Sequence, residues 1–221
     1  MDGLVSPVLL KKGAEASLFV ANWHGRRVVM KRRLPKSYRP VELDVRIRSY
    51  RTVHEPKLMH EAKKAGVPTP IVFLVDVADA TIVMEFIEGE QVKQLLNSMS
   101  PGERVILCNE VGRLVGNLHG HGIVHGDLTT SNMIRGKGRK VFFVDFGLGE
   151  FSEELEARGV DLHLMKRALR SVHFQYAQDC FEAIVEGYSE IMGRKDAATV
   201  LGKVTQIERR GRYVTERKQD I

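Results

Sequence analysis

One segment constrains the fold of this chain more than any other. It runs from His125 to Asn132 and reads His-Gly-Asp-Leu-Thr-Thr-Ser-Asn, so the carboxylate of Asp127 is followed five residues later by the amide of Asn132. An Asp-Phe-Gly turn then follows the apolar run 141–144, which is typical of a buried strand, and adds the carboxylate of Asp145. This layout can place Asp127 beside an attacking hydroxyl while Asn132 and Asp145 hold Mg²⁺ on a nucleotide triphosphate, because magnesium takes oxygen ligands. A lone Asp-Phe-Gly would be weak evidence, but two motifs in this order and spacing favour a phosphoryl-transfer site over coincidence.

The composition limits the classes of protein to which the chain can belong. Its 221 residues suffice for one large domain or two small lobes with a cleft between them, and 43% hydrophobic residues suffice for a core. A formal charge of +6 and a pI near 9.4 favour an anionic partner, although such a charge can also serve solubility alone. Cys108 and Cys180 form no metal or redox motif, so we expect them to be reduced and buried. No signal peptide or membrane-spanning run is predicted, and we expect a soluble, cytoplasmic protein without a membrane partner.

The first part of the chain is predicted to form a five-stranded sheet. The predicted strands are Val8–Lys12, Ser17–Asn22, Arg26–Lys31, Ile71–Asp76 and Thr81–Phe86. The turn between the first two reads Gly13-Ala14-Glu15-Ala16, and its small residues would let backbone N–H groups approach phosphates. It contains a single glycine, so an ordinary hairpin is the alternative for this turn.

The third predicted strand ends on a lysine. Val28-Val29-Met30-Lys31 is similar to the Val-Ala-Ile-Lys strand of kinases, in which the lysine reaches the α- and β-phosphates. Such a lysine needs a carboxylate partner from a helix, and the helix predicted over 46–65 offers Glu55 and Glu61. Pro56 suits the first helical position and would therefore place Glu55 at the start of that helix.

Two further features of the first part concern ligands. After the fifth strand the chain reads as a linker, where an adenine ring would hydrogen-bond to the carbonyl of Glu85 and the N–H of Ile87; this assignment rests on position alone. Residues 26–51 contain ten Lys or Arg and two acidic residues. A solvated basic face is the usual reason for such a run, and a surface for a polyanion is the alternative.

The second part of the chain is predicted to be mainly helical, with one helix over 101–121 and another over 174–191. No activation segment of the usual kinase length follows Asp-Phe-Gly, and Gly126 replaces the arginine of the His-Arg-Asp motif. Asp161, at a predicted helix start, either accepts hydrogen bonds from the catalytic-loop N–H groups or is an exposed carboxylate stabilised by the helix dipole. His119 is expected in packing or in solvent rather than as a metal ligand.

The end of the chain, residues 203–221, is basic, with six Lys or Arg and three acidic residues. A solvated tail is the ordinary interpretation of such a segment. Arginines beside a tyrosine can also clamp phosphates and stack on a base, which indicates a contact with RNA. The candidate residues for that contact are Arg209, Arg210, Arg212 and Tyr213.

Over nearly its whole length the chain resembles the small atypical kinase of the KEOPS complex, the family that includes the PRPK kinases. The specific pieces are Gly13-Ala14-Glu15-Ala16, Lys31, the His125–Asn132 segment, Asp145-Phe146-Gly147-Leu148 and the Arg-Gly-Arg sequence at 210–212. The resemblance also aligns residues 51–67 with the family's C-helix, which makes Glu55 the partner of Lys31 and leaves Glu61 in reserve, although Pro56 departs from the small residue usual there.

This resemblance implies an α+β, bilobal protein-kinase-like fold without an extended activation segment. The predicted parts are an N-lobe over 1–87 with a small antiparallel five-stranded sheet, a mainly helical C-lobe over 88–202 and a basic tail over 203–221. It also implies ATP and Mg²⁺ as cofactors, ATP hydrolysis or Ser/Thr phosphorylation, and a role in the synthesis of N6-threonylcarbamoyladenosine on tRNA. The implied partners are tRNA, the threonylcarbamoyl-transferase subunit through the C-lobe and a small Cgi-type subunit through the N-lobe. The short chain is similar to the archaeal form.

Three alternatives stay open from the sequence. A small-molecule kinase of the aminoglycoside or choline type also uses a His-Gly-Asp motif, but this chain lacks the acidic substrate-binding insertions of those enzymes. RIO-type kinases are closer, but they usually have an additional N-terminal domain. A non-catalytic scaffold for tRNA and protein is disfavoured because all four of Lys31, Asp127, Asn132 and Asp145 are retained.

Overall fold

A five-stranded antiparallel sheet forms the first part of the molecule. The computed structural model describes the backbone of residues 4–216 and the side chains of residues 5 and 7–210. The strands are β1 (Leu4–Lys12), β2 (Ser17–Trp23), β3 (Arg26–Arg32), β4 (Val72–Asp76) and β5 (Thr81–Glu85). Their order across the sheet is β1-β2-β3-β5-β4, so β3 lies in the centre. The predicted five-stranded sheet is confirmed.

Helix α1 (Val41–Lys64) connects β3 to β4 and is longer than the sequence predicted. The expectation that Glu55 starts this helix is wrong, because the helix continues through Pro56. A proline inside a helix removes one backbone hydrogen bond and costs about 3 kcal/mol in isolation. Here Glu55, Leu58 and Met59 on the same turns are 1% exposed or less, so tertiary burial holds the segment helical against that cost.

The second part of the molecule is mainly helical. Its helices are α2 (Val92–Ser98), α3 (Pro101–Gly120), α4 (Leu155–Val172), α5 (Ala177–Met192) and α6 (Arg194–Glu216). Its short strands are β6 (Gly89–Gln91), β7 (Ile123–Val124), β8 (Met133–Gly136), β9 (Val141–Phe143) and β10 (Glu150–Phe151). They form a three-stranded sheet, β6-β8-β9, and a pair, β7-β10. Together the two parts give the predicted bilobal, protein-kinase-like α+β fold.

Helices α3 and α5 form the centre of the helical part. Helix α3 begins at a capping box in which the Ser100 hydroxyl accepts from the N–H of Glu103 and the Glu103 carboxylate accepts from the N–H of Ser100. Gly112 lets α5 approach closely, since a Cβ added there would lie 2.0 Å from the carbonyl oxygen of Ile184. The main hydrophobic core is continuous from α1 and β5 into α3, α4 and α5. The sheet and the helical part are therefore joined by shared apolar packing.

The structure also bears on the segments around the motifs. Only residues 148–154 separate the Asp-Phe-Gly turn from α4, so the absence of an extended activation segment is confirmed. The tail predicted from residue 203 onward begins inside α6, and Val204 is buried against the core. None of the helices that the structure describes is long and apolar enough to cross a membrane.

Candidate active site

The lysine of β3 and a carboxylate of α1 meet at the cleft. Lys31 Nζ lies 2.7 Å from Glu55 Oε1, and Glu55 is 1% exposed. The other oxygen of Glu55 accepts from the guanidinium of Arg33, the residue directly after the end of β3 and two residues after Lys31. The reserve candidate, Glu61, lies outside the cleft, where it is paired with Lys64 at 2.8 Å. The structure thus places Glu55, and not Glu61, beside Lys31.

The Asp-Phe-Gly turn brings Asp145 to the same lysine. Asp145 Oδ1 lies 2.6 Å from Lys31 Nζ, and its side chain is about half exposed. Burial pushes the pKa of the Asp145 carboxyl upward, but the charge and hydrogen bond of Lys31 together with the charge of His125 outweigh it and lower the pKa. Asp145 has a φ of 65°, a left-handed conformation that a non-glycine residue rarely adopts. Phe146, which is fully buried, packs against the His125 ring and holds the turn there.

The catalytic loop orients two further candidates. Asn132 Nδ2 donates to Asp127 Oδ2 at 2.8 Å and to the Asp127 carbonyl at 2.9 Å. The N–H of Val144 donates to the carbonyl of Asn132 at 2.9 Å, which ties this loop to the strand before Asp145. Because its amide nitrogen is used on Asp127, the amide oxygen of Asn132 is the atom left for a metal ion.

A buried carboxylate anchors this loop from below. Asp161 accepts from the N–H of His125 at 2.6 Å and from the N–H of Gly126 at 2.9 Å, and it is 1% exposed. His119 Nε2 lies 3.3 Å from the same carboxylate, and His119 Nδ1 lies 3.0 Å from the hydroxyl of Tyr188. Asp161 lies inside α4 and not at its start, so the prediction of a helix start here is wrong. Because the side chain is buried, the alternative role of an exposed carboxylate stabilised by the helix dipole is also wrong. The hydrogen bonds to the catalytic loop are present.

The backbone at position 126 requires the glycine that stands in place of the arginine of the His-Arg-Asp motif. Its φ is 76°, and a Cβ added there would lie 2.1 Å from the carbonyl oxygen of Leu148. Any side chain at this position would therefore displace the segment that follows the Asp-Phe-Gly turn. The close passage of that segment is the reason that a glycine stands at this position.

Lys31, Asp127 and Asp145 line one cavity between the lobes. It has a volume of about 70 Å³, well below the roughly 300 Å³ at which ligand sites begin, and its lining residues are Glu15, Lys31, Arg33, Arg51, Asp127, Asp145, Gly147 and Leu148. Asn132, whose amide donates to Asp127, does not line this cavity. Within the described residues no group of three or more His, Cys, Asp or Glu side chains could hold a metal ion. A magnesium ion would fit Asp145 and Asn132 only if phosphate and water completed its oxygen ligands.

The turn between β1 and β2 lies over this cavity. The N–H of Gly13 donates to the carbonyl of Ala16 at 2.9 Å, and the carbonyl of Ala14 accepts from Lys36 Nζ. The carboxylate of Glu15 binds two arginines, which no pattern in the sequence indicated. Neither of the predicted adenine-binding positions lines this cavity. Glu85 is the last residue of β5, and Ile87, two residues later, has 8% of its surface exposed.

Comparison with known proteins agrees with this geometry. The RIO domain family matches residues 31–149. The KEOPS complex subunit Bud32 of Pyrococcus abyssi is 47% identical over 211 residues, which cover 93% of this chain and 96% of that protein. The chain belongs to the Bud32 family of RIO-domain proteins. A probable bifunctional tRNA threonylcarbamoyladenosine biosynthesis protein of Methanothermobacter thermautotrophicus is 43% identical over 207 residues. The chain spans 37% of the length of that second relative.

The family assignment corrects one alternative drawn from the sequence. From the sequence, RIO-type kinases are a competing family that usually has an additional N-terminal domain. The RIO family matches residues 31–149 of a chain of which the Bud32 match covers 93%, so the two families are not exclusive. The RIO match begins at Lys31 and ends two residues after Asp-Phe-Gly, so it contains the candidate lysine, Asp127, Asn132 and Asp145.

The four residues predicted to contact RNA lie on α6. Arg209 and Arg210 are exposed, and Arg210 Nη1 lies 2.8 Å from Glu156 Oε1 of α4. The side chains of Arg212 and Tyr213 lie outside the described residues. The predicted RNA contact of these four residues therefore stays a prediction.

Three residues that the structure places at or near the site are not predicted by the sequence motifs. Arg33 could have been found from its position two residues after Lys31, and Arg51 from its position four residues before Glu55 on the same helix face. Tyr188 lies 69 residues from His119 in sequence, and no local pattern connects them.

Proposed function

We propose that the chain is an ATP- and Mg²⁺-dependent phosphotransferase or ATPase subunit of a KEOPS-type complex. The observation that carries the proposal is the meeting of Lys31, Asp127 and Asp145 on one cavity, with Lys31 Nζ only 2.6 Å from Asp145. Cationic and anionic groups that converge in this manner suit a metal-bound triphosphate better than an uncharged ligand.

Each residue has a role that follows from its contacts. Asp127, held by the amide of Asn132, would accept the proton of the attacking hydroxyl or water. Lys31, oriented by Glu55, would neutralise charge on the phosphates. Asp145 and the amide oxygen of Asn132 would hold magnesium, which supplies neutralising charge when bound. The turn 13–16 would cover the phosphates with Gly13, Ala14, Glu15 and Ala16, and the backbone of Glu85 and Ile87 would bind adenine.

We further propose that this activity serves the synthesis of N6-threonylcarbamoyladenosine on tRNA, in the cytoplasm. The names of the Pyrococcus and Methanothermobacter relatives support this role. The partners would be tRNA, a threonylcarbamoyl-transferase subunit at the C-lobe and a Cgi-type small subunit at the N-lobe. The bifunctional relatives are longer than this chain, which spans 37% and 36% of their length, and this supports a partner protein that carries a second activity.

The proposal is tested by ATP turnover of the purified chain, alone and with tRNA and a transferase subunit. Asp127→Ala and Asp145→Ala should each lower turnover by about 10²-fold or more, because each removes a group at the reacting atoms. Asp179→Ala is the matched control, since Asp179 is exposed on α5 and does not line the cavity. Normal turnover in both cavity variants, with unfolding midpoints like those of the wild type, would remove the mechanism. Normal tRNA modification by a turnover-deficient Asp127→Ala complex would instead support the scaffold alternative.

A further inference from the structure

The turn over the cavity is held by ion pairs through its only charged side chain. Glu15 Oε2 lies 2.7 Å from Arg51 Nη1, and Glu15 Oε1 lies 3.2 Å from Arg39 Nη2. The Glu15 side chain is 44% exposed, so these are pairs at the mouth of the cavity and not inside the core. A carboxylate thus occupies guanidinium groups at the place where a triphosphate would enter.

The cations around this cavity differ in how firmly their partners hold them. Arg33 is 3% exposed, and its guanidinium is used on Glu55 and on the Thr52 hydroxyl. Arg39 has a second carboxylate within reach, Asp44, at 3.7 Å. Among the described ion pairs, Arg51 has Glu15 alone, and its side chain is 26% exposed. Arg51 is therefore the lining cation whose partner can be exchanged at the lowest cost.

The exchange would need an anion that competes with one carboxylate. A guanidinium binds phosphate through two parallel N–H bonds, and a terminal phosphate carries more charge than Glu15. Exposed ion pairs such as the one between Arg51 and Glu15 are weak. Arg51 lines the same cavity as Lys31, Asp127 and Asp145, so an anion bound to it would lie beside the reacting groups.

We propose that Arg51 is a phosphate-binding residue of this site and that Glu15 occupies it until a nucleoside triphosphate enters. The terminal phosphates then replace the Glu15 carboxylate on Arg51. This inference rests on the proposed function and names one residue that recognises the triphosphate. It requires Arg51 and Glu15 to act in opposite directions on the same affinity. Adenosine has no phosphate to offer Arg51, so its affinity depends on neither residue.

The test is calorimetric binding of ATP and of adenosine, each with Mg²⁺, to the full chain. Arg51→Gln should weaken ATP binding about tenfold, the usual loss for one charge-assisted hydrogen-bonded pair, and leave adenosine unchanged. Glu15→Gln should tighten ATP binding several-fold, because the competing charge is gone. The matched controls are Arg46→Gln and Glu42→Gln, which make the same charge changes at exposed positions of α1 and should leave both affinities unchanged.

Several outcomes would overturn the inference. Unchanged ATP affinity in Arg51→Gln, an equal loss for ATP and adenosine, or weaker ATP binding in Glu15→Gln would each do so. If Arg51→Gln unfolds, Arg51→Lys decides, since it keeps the charge but loses the two-bond geometry and should weaken ATP binding by a smaller factor. A wild-type chain that binds adenosine and ATP equally would overturn it as well. A wild-type chain that binds neither ligand would contradict the proposed function itself, whereas normal ATP binding with an inert Arg51→Gln contradicts this inference alone.

Discussion

Two regions of the molecule hold the candidate catalytic groups, and they do so by different means. The first is the cleft cluster, formed by Lys31, Arg33, Glu55 and Asp145, in which charged side chains bind one another. The second is the loop anchor, formed by Asp161, His119 and Tyr188, in which one carboxylate receives backbone N–H groups and a histidine. The cleft cluster adjoins open space at Asp145, whereas every member of the loop anchor is 1% exposed or less.

The difference indicates what each region can do. Within the cleft cluster, Asp145 can change partners when a ligand arrives, because its half-exposed carboxylate faces the cavity while Lys31, Arg33 and Glu55 are buried. Every group of the loop anchor is buried, so breaking one bond leaves a buried polar group unsatisfied. The loop that carries Asp127 is therefore fixed by the loop anchor, while the carboxylate of Asp145 stays available to a ligand.

The largest effect is expected from breaking the loop anchor. Asp161→Ala would leave the N–H groups of His125 and Gly126 and the ring of His119 without their shared acceptor. The free energy of unfolding should fall by about 3 kcal/mol or more. Denaturant unfolding measures the change, and Asp179→Ala on α5 is the exposed control. A loss no larger than that of the control would show that the loop does not depend on Asp161.

A smaller loss of stability and a specific loss of turnover are expected in the cleft cluster. Glu55→Gln keeps the shape of the side chain but removes the charge shared by Lys31 and Arg33. Because Lys31 keeps Asp145, we expect the free energy of unfolding to fall by about 1–3 kcal/mol, with a turnover loss of about 10²-fold as Lys31 is misplaced. Glu61→Gln, on the same helix but outside the cleft, should change neither quantity. Equal turnover in the two variants would exclude Glu55 as the partner that orients Lys31.

The two regions also differ in how far the sequence predicts them. The motifs at 125–132 and 145–147 identify Asp127, Asn132 and Asp145 because phosphoryl transfer needs those groups at short, fixed spacings. The five strands follow from alternation and turn residues in the same local manner. The start of α1 does not follow from the sequence in this manner: Pro56 locally favours a helix start, but the helix begins at Val41 and Glu55 and Leu58 are buried.

The loop anchor shows why the remainder could not be predicted. Asp161 was weighed as an acceptor for the catalytic loop, but its buried position depends on α4 packing under that loop. His119 and Tyr188 come from α3 and α5, and their contact exists only because those helices approach closely at Gly112. Nothing within a short window of sequence carries information of that kind.

A smaller and purely structural effect is expected at the edge of the loop anchor. Tyr188→Phe removes the hydroxyl that contacts His119 Nδ1 at 3.0 Å and keeps the ring in the core. The free energy of unfolding should fall by about 1 kcal/mol, with turnover unchanged because Asp161 keeps both backbone bonds. Tyr38→Phe is the control at an exposed tyrosine. A drop in turnover without a drop in stability would instead assign Tyr188 to the chemistry.

The smallest effect is expected in how the free energy of unfolding depends on pH. His173, after α4, is 2% exposed, and burial together with the nearby charges of Lys93 and Arg104 lowers its pKa below the ordinary 6.5. The unfolded chain therefore binds more protons as the pH falls through 6.5, so the stability that neutral His173 contributes is lost toward its lower folded pKa. Asp145 also has a lowered pKa, but the stability that its carboxylate contributes is lost only below its ordinary 3.8. Between pH 7.5 and 5.5 the unfolding free energy should fall less steeply in His173→Gln than in the wild type, while His60→Gln, at an exposed position, should follow the wild type.

Equal slopes of unfolding free energy against pH in all three proteins would contradict this prediction. They would mean that acid destabilises the helical part through groups other than His173.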